Sequence, residues 1–257
     1  MQKTNWEILY GLHPVQEALK AGRRAISEIY IAANAPHHRL EPVRELADAK
    51  GVPLRTLSAE ALRKKSGSDK HQGVAALAGS FPLTDEDEIV HGYLQHPREH
   101  FLLLIDSVQD PHNLGALIRS AVCLGAAGVV IPKDRAAAPT PSVSKASAGA
   151  MEHALLARVT NLVDFMRLLR QNAIWLIGAD ARAESSIFRW DLKGPLALIV
   201  GGEDKGLRPL VRKHCDQLVA IPQMGAVNSL NASVAGAILM YEALRHRFQE
   251  RPSGKQQ

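Results

Sequence analysis

The sequence is poor in cysteine and has no long apolar run. Its two cysteines, Cys123 and Cys215, lie far apart and belong to no CxxC or Cys/His group, so we expect reduced, buried thiols and no metal site. No stretch approaches the roughly 18 apolar residues that cross a bilayer, and residues 1–14 lack the apolar core of a signal peptide. These absences predict a soluble, cytoplasmic protein without a membrane partner.

Aromatic residues are also scarce, at 5% of 257 residues. An array of base-stacking side chains is therefore not expected to carry any binding of nucleic acid. The formal net charge of +5 and the isoelectric point near 9.3 are compatible with a polyanionic partner, although many basic proteins bind no nucleic acid.

Two phosphate-binding signatures are missing as well. No GxGxxG follows any of the apolar runs, which disfavours a nicotinamide-dependent dehydrogenase. Residues 198–209, LIVGGEDKGLRP, contain glycines spaced as in half of a nucleoside-triphosphate loop, but Leu207 and Arg208 stand where that loop needs Lys and Ser/Thr. The sequence therefore contains no such loop.

The chain divides into two α/β segments around an acidic stretch. Residues 1–79 alternate about four short strands with helical patterns and are predicted to form a small domain. Residues 80–97 are predicted to be a solvated linker with at most a short helix, because they hold four consecutive acids, no Lys or Arg, and flanking prolines. Residues 98–251 form a second predicted domain, and residues 252–257 a disordered tail.

The second segment has the pattern of a parallel, doubly wound sheet. Apolar runs alternate in it with helical patterns; the predicted strands are Phe101–Ile105, Gly128–Ile131, Ile174–Ile177, Leu196–Val200 and Leu218–Ile221. Ligands of open α/β sheets bind outside the carboxyl ends of the strands. The junctions from strand to helix are therefore the places to look for a functional site.

The junction at residues 105–126 contains two polar candidates. Asn113 stands where the N-cap of the following helix is expected, and Arg119 lies on that helix outside its apolar face. Taken alone, an ordinary cap and an exposed surface arginine would explain both residues.

Two further junctions are rich in small and polar residues. Gly201 and Gly206 flank Glu203 directly after a buried strand, where glycine allows a tight turn and close approach of a ligand. Ser229 and Asn231 cluster polar groups at the start of a helix whose first turns are small. Close packing of helices is the alternative explanation for those small residues.

Together, these junctions resemble the three motifs of the SpoU/TrmH branch of the SPOUT RNA methyltransferases. The matching stretches are NLGALIRSA, IVGGEDKGL and IPQMGAVNSLNASVA, within residues 100–248. YGLHPVQEAL and HQGVAAL near the N-terminus resemble the substrate domain of members that methylate a guanosine of 23S rRNA in its peptidyl-transferase region. The resemblance implies an α/β protein with a C-terminal, trefoil-knotted SPOUT methyltransferase domain containing a parallel sheet, and a small N-terminal L30e-like α/β domain.

The resemblance also implies a reaction and a set of site residues. The reaction is S-adenosylmethionine-dependent 2′-O-methylation of ribose in large-subunit rRNA, by a homodimer associated through its knotted domains. The implied catalytic residues are Arg119, Asn113, Glu203, Ser229 and Asn231, and the implied cofactor-binding residues are Gly178, Gly201, Gly206, Ile221, Met224 and Leu230.

Three alternatives remain at this stage. The substrate could be a tRNA, or the chain could be an antibiotic-resistance methyltransferase acting on an rRNA adenosine. It could also be a non-catalytic RNA-binding factor in ribosome assembly that keeps the fold. The complete set of Asn113, Arg119, Glu203 and Asn231 argues against the last alternative.

Overall fold

The computed structural model describes residues 5–203, 205–226 and 229–248, and these residues divide into two units. The first unit contains the chain up to Pro82 together with Ala138–His153; the second contains Leu83–Ala137 and the chain from Ala154 onward. The predicted disordered tail, residues 252–257, lies outside the described residues, as does Asn228 of the third motif.

Strands and helices alternate along the described chain. The strands are β1 (Trp6–Tyr10), β2 (Ile26–Ala32), β3 (Leu54–Leu57), β4 (Val74–Gly79), β5 (Phe101–Asp106), β6 (Ala126–Pro132), β7 (Leu156–Val159), β8 (Trp175–Ala179), β9 (Leu196–Gly201) and β10 (Gln217–Val219). The helices are α1 (Leu12–Ala21), α2 (His37–Ala49), α3 (Ala59–Ser66), α4 (Glu86–Gln95), α5 (Pro111–Cys123), α6 (Pro141–Ala146), α7 (Leu162–Gln171), α8 (Pro209–His214) and α9 (Ala232–Phe248).

The first unit is a four-stranded mixed sheet covered by helices on both faces. Its strand order is β1-β4-β2-β3, with β2 and β3 parallel and the other pairs antiparallel. The apolar faces of α1 and α2 bury Val15, Leu19 and Val43 against one side of the sheet. Leu62 of α3 is buried against the other side, next to Tyr30. The predicted small α/β domain with about four strands is therefore confirmed.

A segment from later in the chain, which no pattern in the sequence predicted, completes this unit. Within Ala138–His153, α6 is followed by a 3₁₀ helix, Ala150–His153. Its buried Glu152 accepts hydrogen bonds from Arg24 at 2.8 and 2.9 Å and from Ser144 Oγ at 2.6 Å. An ion pair this well enclosed is costly to break, because the charge left behind would be buried without a partner.

The second unit contains a parallel sheet of six strands, as the alternation of apolar runs predicts. Its order is β10-β8-β9-β5-β6-β7, with every neighbouring pair parallel. Helices α4, α7 and α8 bury their apolar residues on one face, against Leu102, Leu104 and Ile199. Gly236 of α9 lies against Leu117 of α5 and near Val200, so α5 and α9 cover the opposite face. Both faces are covered, which accounts for the continuous apolar runs of the strands.

The acidic stretch is not a linker, and this corrects the prediction for residues 80–97. Asp85 accepts a hydrogen bond from Asp87 N at 3.0 Å and caps α4, whose first turn holds the remaining acids. Negative charge at a helix N-terminus is stabilised by the helix dipole. Ile89, Val90 and Tyr93 of α4 are buried in the core of the second unit. The division between the units therefore falls at Pro82–Leu83.

Strand β7 also has no counterpart in the sequence-based prediction. Its sequence, LARV, is only four residues long and pairs in parallel with β6 through Val129–Leu156 to Pro132–Val159. Short strands at a sheet edge carry little periodic signal.

In the parts of the chain that are described, no helix is long and apolar enough to cross a membrane.

Candidate active site

The candidate residues lie at the carboxyl edge of the parallel sheet in the second unit. Strand β5 ends at Asp106 and β9 at Gly201, and these two residues pair with each other. Strands β8 and β10 pair with Ala179 opposite Val219 at the same edge. The three motifs follow β5, β9 and β10, so a parallel arrangement brings them to one side of the sheet.

Asp106 anchors two of these junctions to each other. Its side chain is fully buried and accepts hydrogen bonds from Arg208 N at 2.8 Å and Arg208 Nε at 2.6 Å. The adjacent Ser107 has a positive φ of 62° and donates to Asp106 at 3.2 Å. The buried carboxylate therefore fixes the end of the turn after β9 beside the end of β5. Asp106 is not among the predicted site residues, although a carboxylate directly after FLLLI was a usable signal.

Helix α5 is capped by Asp110, not by Asn113 as predicted. The Asp110 side chain accepts a hydrogen bond from His112 N at 3.0 Å, and Pro111 occupies the first helical position. Proline is favoured at that position because its missing N–H has no intrahelical acceptor. Asn113 therefore lies inside the first turn of α5, and its side chain is free to serve the site.

Asn113 joins all three motifs through its amide group. Its Nδ2 donates to Asp110 at 3.2 Å and also to Glu203, and its Oδ1 accepts a hydrogen bond from Asn231 Nδ2 at 3.0 Å. Asn231 Oδ1 in turn accepts from Ser233 N at 2.9 Å at the start of α9. The network thus links the helix after β5, the turn after β9 and the helix after β10.

Arg119 and Ser229 lie outside this network. Arg119 is exposed on α5, about 9 Å further along the helix axis than Asn113 at a rise of 1.5 Å per residue. Neither residue makes a hydrogen bond or ion pair with the residues described in ranges 5–203, 205–226 and 229–248. The guanidinium of Arg119 is therefore available to a ligand.

Two of the three glycines assigned to the cofactor, Gly201 and Gly178, lie where a side chain could not fit, and the third, Gly206, has a positive φ. A Cβ on Gly201 would overlap the backbone of Gly206 and Leu207, and one on Gly178 would lie 2.7 Å from Cys215 Sγ. Gly206 has a φ of 62° and donates from its N–H to Gly202 O at 3.0 Å. The turn after β9 is consequently folded back on itself, with its backbone close to the strand end.

The apolar residues assigned to the cofactor are exposed to different degrees. Met224 is fully exposed, Leu230 is 38% exposed and Ile221 is half-buried. The last helix begins at Ala232, because Asn231 acts as its cap. Leu230 therefore belongs to the loop before α9, together with Ser229.

The two thiols differ from the expectation that both are buried. Cys123 is exposed, whereas Cys215 is half-buried at the end of α8. Burial, with Asp216 and Asp106 nearby, raises the pKa of Cys215 to about 12. Among the described residues, no three His, Cys, Asp or Glu side chains gather as a metal site would require.

Two family models match the chain, one for each part. The model of the SpoU rRNA methylase family matches residues 100–241, and that described as RNA 2′-O ribose methyltransferase substrate binding matches residues 8–82. The second match lies in the first unit, and the first match contains all three motifs.

Relatives and solved structures agree with these matches. A 23S rRNA (guanosine-2′-O-)-methyltransferase of Ralstonia nicotianae is 42% identical over 94% of this chain and 96% of its own, and that of Shewanella oneidensis is 39% identical over 94% and 98%. The SpoU methyltransferase AviRb from Streptomyces viridochromogenes, solved in complex with the cofactor AdoMet, has a TM-score of 0.79 and 26% identity, covering 95% of this chain and 91% of that one. On these matches, the chain belongs to the SpoU rRNA methylase family.

Proposed function

We propose that this protein transfers the methyl group of S-adenosylmethionine to the ribose 2′-hydroxyl of a guanosine in 23S rRNA, in the cytoplasm. The observation that carries the proposal is the hydrogen-bonded set of Asn113, Glu203 and Asn231, which unites all three motifs at the carboxyl edge of the sheet. The substrate follows from the Ralstonia and Shewanella relatives, whose names specify a guanosine of 23S rRNA.

The residues at this edge fit S-adenosylmethionine. The folded turn brings the backbone of Gly201 close to that of Gly206 and Leu207 at the strand end, and the exposed Met224 and Leu230 offer apolar surface for a purine. Together with Gly178 and Ile221, these are the residues that would hold it. When bound, S-adenosylmethionine supplies an electrophilic methyl group on a sulfonium centre.

Arg119 is proposed to act on the RNA. A guanidinium keeps its proton in proteins and therefore cannot serve as the general base. It can instead orient an RNA phosphate or stabilise the negative charge that develops on the ribose oxygen. The proton of the 2′-hydroxyl then passes to a phosphate oxygen or to water.

The Asn113 network is proposed to hold the loops in place for that step. Transfer to a hydroxyl requires the reacting atoms to be held close to contact distance, so small displacements of the loops are costly. Asn113 connects Glu203 with Asn231, and Ser229 lies two residues before Asn231 in the loop that precedes α9. Ser229 is proposed to contact the ribose or the cofactor from that loop.

A homodimer is supported by an exposed apolar face on α9. Val234, Ile238, Tyr241 and Phe248 are between 37% and 62% exposed and follow each other at intervals of four, three and seven residues. This spacing places them on one side of the helix. Contiguous exposed apolar surface of this kind marks an interaction site, and a second copy of this chain is the proposed occupant.

The proposed trefoil knot is consistent with the strand order. Strand β10 pairs with β8 and not with β9, which precedes it along the chain. Directly after β10, Ala220 N donates to Ser185 O at 2.8 Å, and Ala220 O accepts from Ile187 N at 3.0 Å. The chain therefore runs alongside the connection between β8 and β9. A threaded connection would be an exception to the general avoidance of knots.

The function is tested with labelled S-adenosylmethionine and three purified RNAs in parallel: deproteinised 23S rRNA, 16S rRNA and bulk tRNA. We expect label only in 23S rRNA, at one guanosine when the 2′-O-methylated positions are mapped. Label in tRNA, or at an adenosine, would overturn the proposed substrate while keeping the chemistry. Absence of label from all three RNAs and from precursor large subunits would overturn the methyltransferase proposal.

A further inference from the structure

Among its described residues, the first unit contains basic side chains with an acidic partner and basic side chains without one. Several basic side chains of this unit are paired: Lys20 with Glu17, Arg55 with Glu28, and Arg63 with Asp69. Arg39, Lys70 and Lys145, by contrast, form no ion pair with any carboxylate in the described ranges. Lys70 and Arg39 are close enough to Lys145 for their charges to add to the effect of its partial burial, which lowers the pKa of Lys145.

Lys145 is held at the meeting point of the two N-terminal sequence signatures. Its Nζ donates to Gln72 Oε1, which also accepts a hydrogen bond from Leu12 N at 3.3 Å. Gly11, with a φ of 100°, makes room for it, because the Cβ of a larger residue would lie 2.5 Å from Lys145 Nζ. The GLHP and HQG stretches therefore both contribute to the surroundings of this ammonium group.

The helix that carries Lys145 is firmly attached to the same unit. Next to Lys145 on α6, Ser144 donates to the buried Glu152 at 2.6 Å, and Glu152 is paired with Arg24. Both carboxylate oxygens of Glu152 are used by these bonds. The backbone of α6 at Lys145 is consequently held by buried contacts, in addition to the bond from Lys145 Nζ to Gln72.

The surroundings of Lys145 disfavour its positive charge. Partial burial, followed by the charges of Lys70 and Arg39, holds the pKa of Lys145 below its usual range. Like charges gathered without a counter-ion destabilise the folded state. An anion between them would remove this repulsion and would accept hydrogen bonds from ammonium and guanidinium groups.

We propose that Lys145, Lys70 and Arg39 together bind a backbone phosphate of the RNA substrate. This inference rests on the proposed function and deepens it, since it assigns a binding site within the first unit. Lys145 lies outside residues 8–82, the substrate-binding match, and inside residues 100–241, the methylase match. Lys145, a residue of the methylase segment, thereby contributes to substrate binding. Its contact is with the RNA backbone and does not depend on the base sequence.

The test compares Lys145→Gln with Lys145→Arg and with the control Lys20→Gln. Lys20→Gln removes the same charge from the same unit, but from a lysine that is paired with Glu17. Binding of deproteinised 23S rRNA is measured at several KCl concentrations, together with S-adenosylmethionine affinity and thermal stability. We expect Lys145→Gln to weaken RNA binding about three- to tenfold at about 0.1 M salt and to reduce the salt slope by about one.

The other variants and readouts separate this site from a structural role. Lys145→Arg and Lys20→Gln should bind RNA as the unaltered protein does, and all variants should keep its S-adenosylmethionine affinity. Lys145→Gln should melt no lower than the unaltered protein, because it relieves repulsion. An unchanged affinity and salt slope, an equal effect of Lys20→Gln, or a marked fall in melting temperature of Lys145→Gln would each overturn the inference.

Failure of the proposed function would look different. In that case the unaltered protein would methylate none of the RNAs, whatever the salt slopes of its variants. If Lys145→Gln methylates 23S rRNA at the rate of the unaltered protein at every RNA concentration, the proposed function stands. The phosphate site is then overturned.

Discussion

At the scale of single residues, Asn113 is the side chain that connects the three motifs of the candidate site. Its amide donates towards Asp110 and Glu203 while accepting from Asn231, so donor and acceptor are both used. No other natural side chain of that length offers the same two functions. This predicts that Asn113 is sensitive to a change of one atom.

Asn113→Asp is expected to lower kcat about 100-fold, because it places a third carboxylate beside Asp110 and Glu203 and disturbs the positions of the loops. Asn113→Ala, which removes the hydrogen bonds without adding charge, should be less harmful. Single-turnover methylation of 23S rRNA measures both variants. Equal losses in the two variants would show that the added negative charge does not impair the site.

Arg119→Ala is expected to lower kcat by about 100- to 1000-fold, the range found when one group that stabilises developing charge is lost. S-adenosylmethionine affinity, measured by calorimetry, should stay nearly unchanged, because Arg119 makes no hydrogen bond or ion pair with the described residues assigned to the cofactor. Loss of affinity and turnover together would show that Arg119 shapes the cofactor site instead.

Cys215 gives a prediction about alkaline stability. Its pKa is raised to about 12 in the folded protein from 9.0, so the folded state favours the neutral thiol. The corresponding stability is complete below about pH 9 and is lost as the pH rises towards about 12. Thermal melts between pH 8 and pH 11 should therefore fall more steeply for the unaltered protein than for Cys215→Ala. Parallel curves would refute this assignment.

At the scale of elements, the turn after β9 is the most constrained part of the site. A Cβ on Gly201 would overlap the backbone of Gly206 and Leu207, whereas one on Gly194, which precedes the same strand, meets nothing within 4 Å. The two glycines thus form a matched pair for substitution. The reason for glycine at position 201 is close approach of the backbone, since its φ is not positive.

Gly201→Ala is expected to destabilise the second unit by about 1–3 kcal/mol, as overpacking does, and to weaken S-adenosylmethionine binding at least about tenfold. Gly194→Ala should change neither quantity appreciably. Urea unfolding and calorimetry provide the two measurements. Similar effects of the two substitutions would mean that close packing at Gly201 is not what shapes the turn.

Helix α4 shows where patterns in the sequence were ambiguous at the element scale. Four acids in a row are typical of a solvated linker, but the same acids cap and stabilise a helix when Ile89, Val90 and Tyr93 find a core to pack on. The choice between linker and helix depended on that tertiary contact. Tyr93, which accepts a hydrogen bond from Leu196 N at 2.6 Å, joins α4 to the start of β9.

At the scale of the whole molecule, the exposed face of α9 predicts self-association. Ile238 is 37% exposed there, and Leu155, before the edge strand β7, is 41% exposed. Ile238→Glu is expected to convert a dimer into a monomer, because it buries a charge in an apolar interface. Leu155→Glu should leave the dimer intact. Analytical ultracentrifugation distinguishes the two outcomes, and a monomeric unaltered protein would refute the homodimer outright.

The sequence by itself determined the class of both units and the location of the candidate chemistry. Continuous apolar runs separated by helical patterns predict a parallel sheet because such strands are covered on both faces, and the six-stranded sheet confirms this. The three motifs could be placed at strand ends for the same reason. Motifs placed at the same edge of a sheet are expected to lie close together in space. Hydrogen bonds do connect Asn113 with Glu203 and Asn231, although these residues are up to 118 positions apart along the chain.

Other features were decided only by tertiary structure. The cap at Asp110, the helix within the acidic stretch and the buried Asp106–Arg208 pair each depend on a partner that local patterns do not reveal. The clearest case is Ala138–His153, which folds with the chain up to Pro82. Its buried Glu152 pairs with Arg24, 128 residues away along the chain, and a periodicity read over a dozen residues contains no information about a contact at that distance.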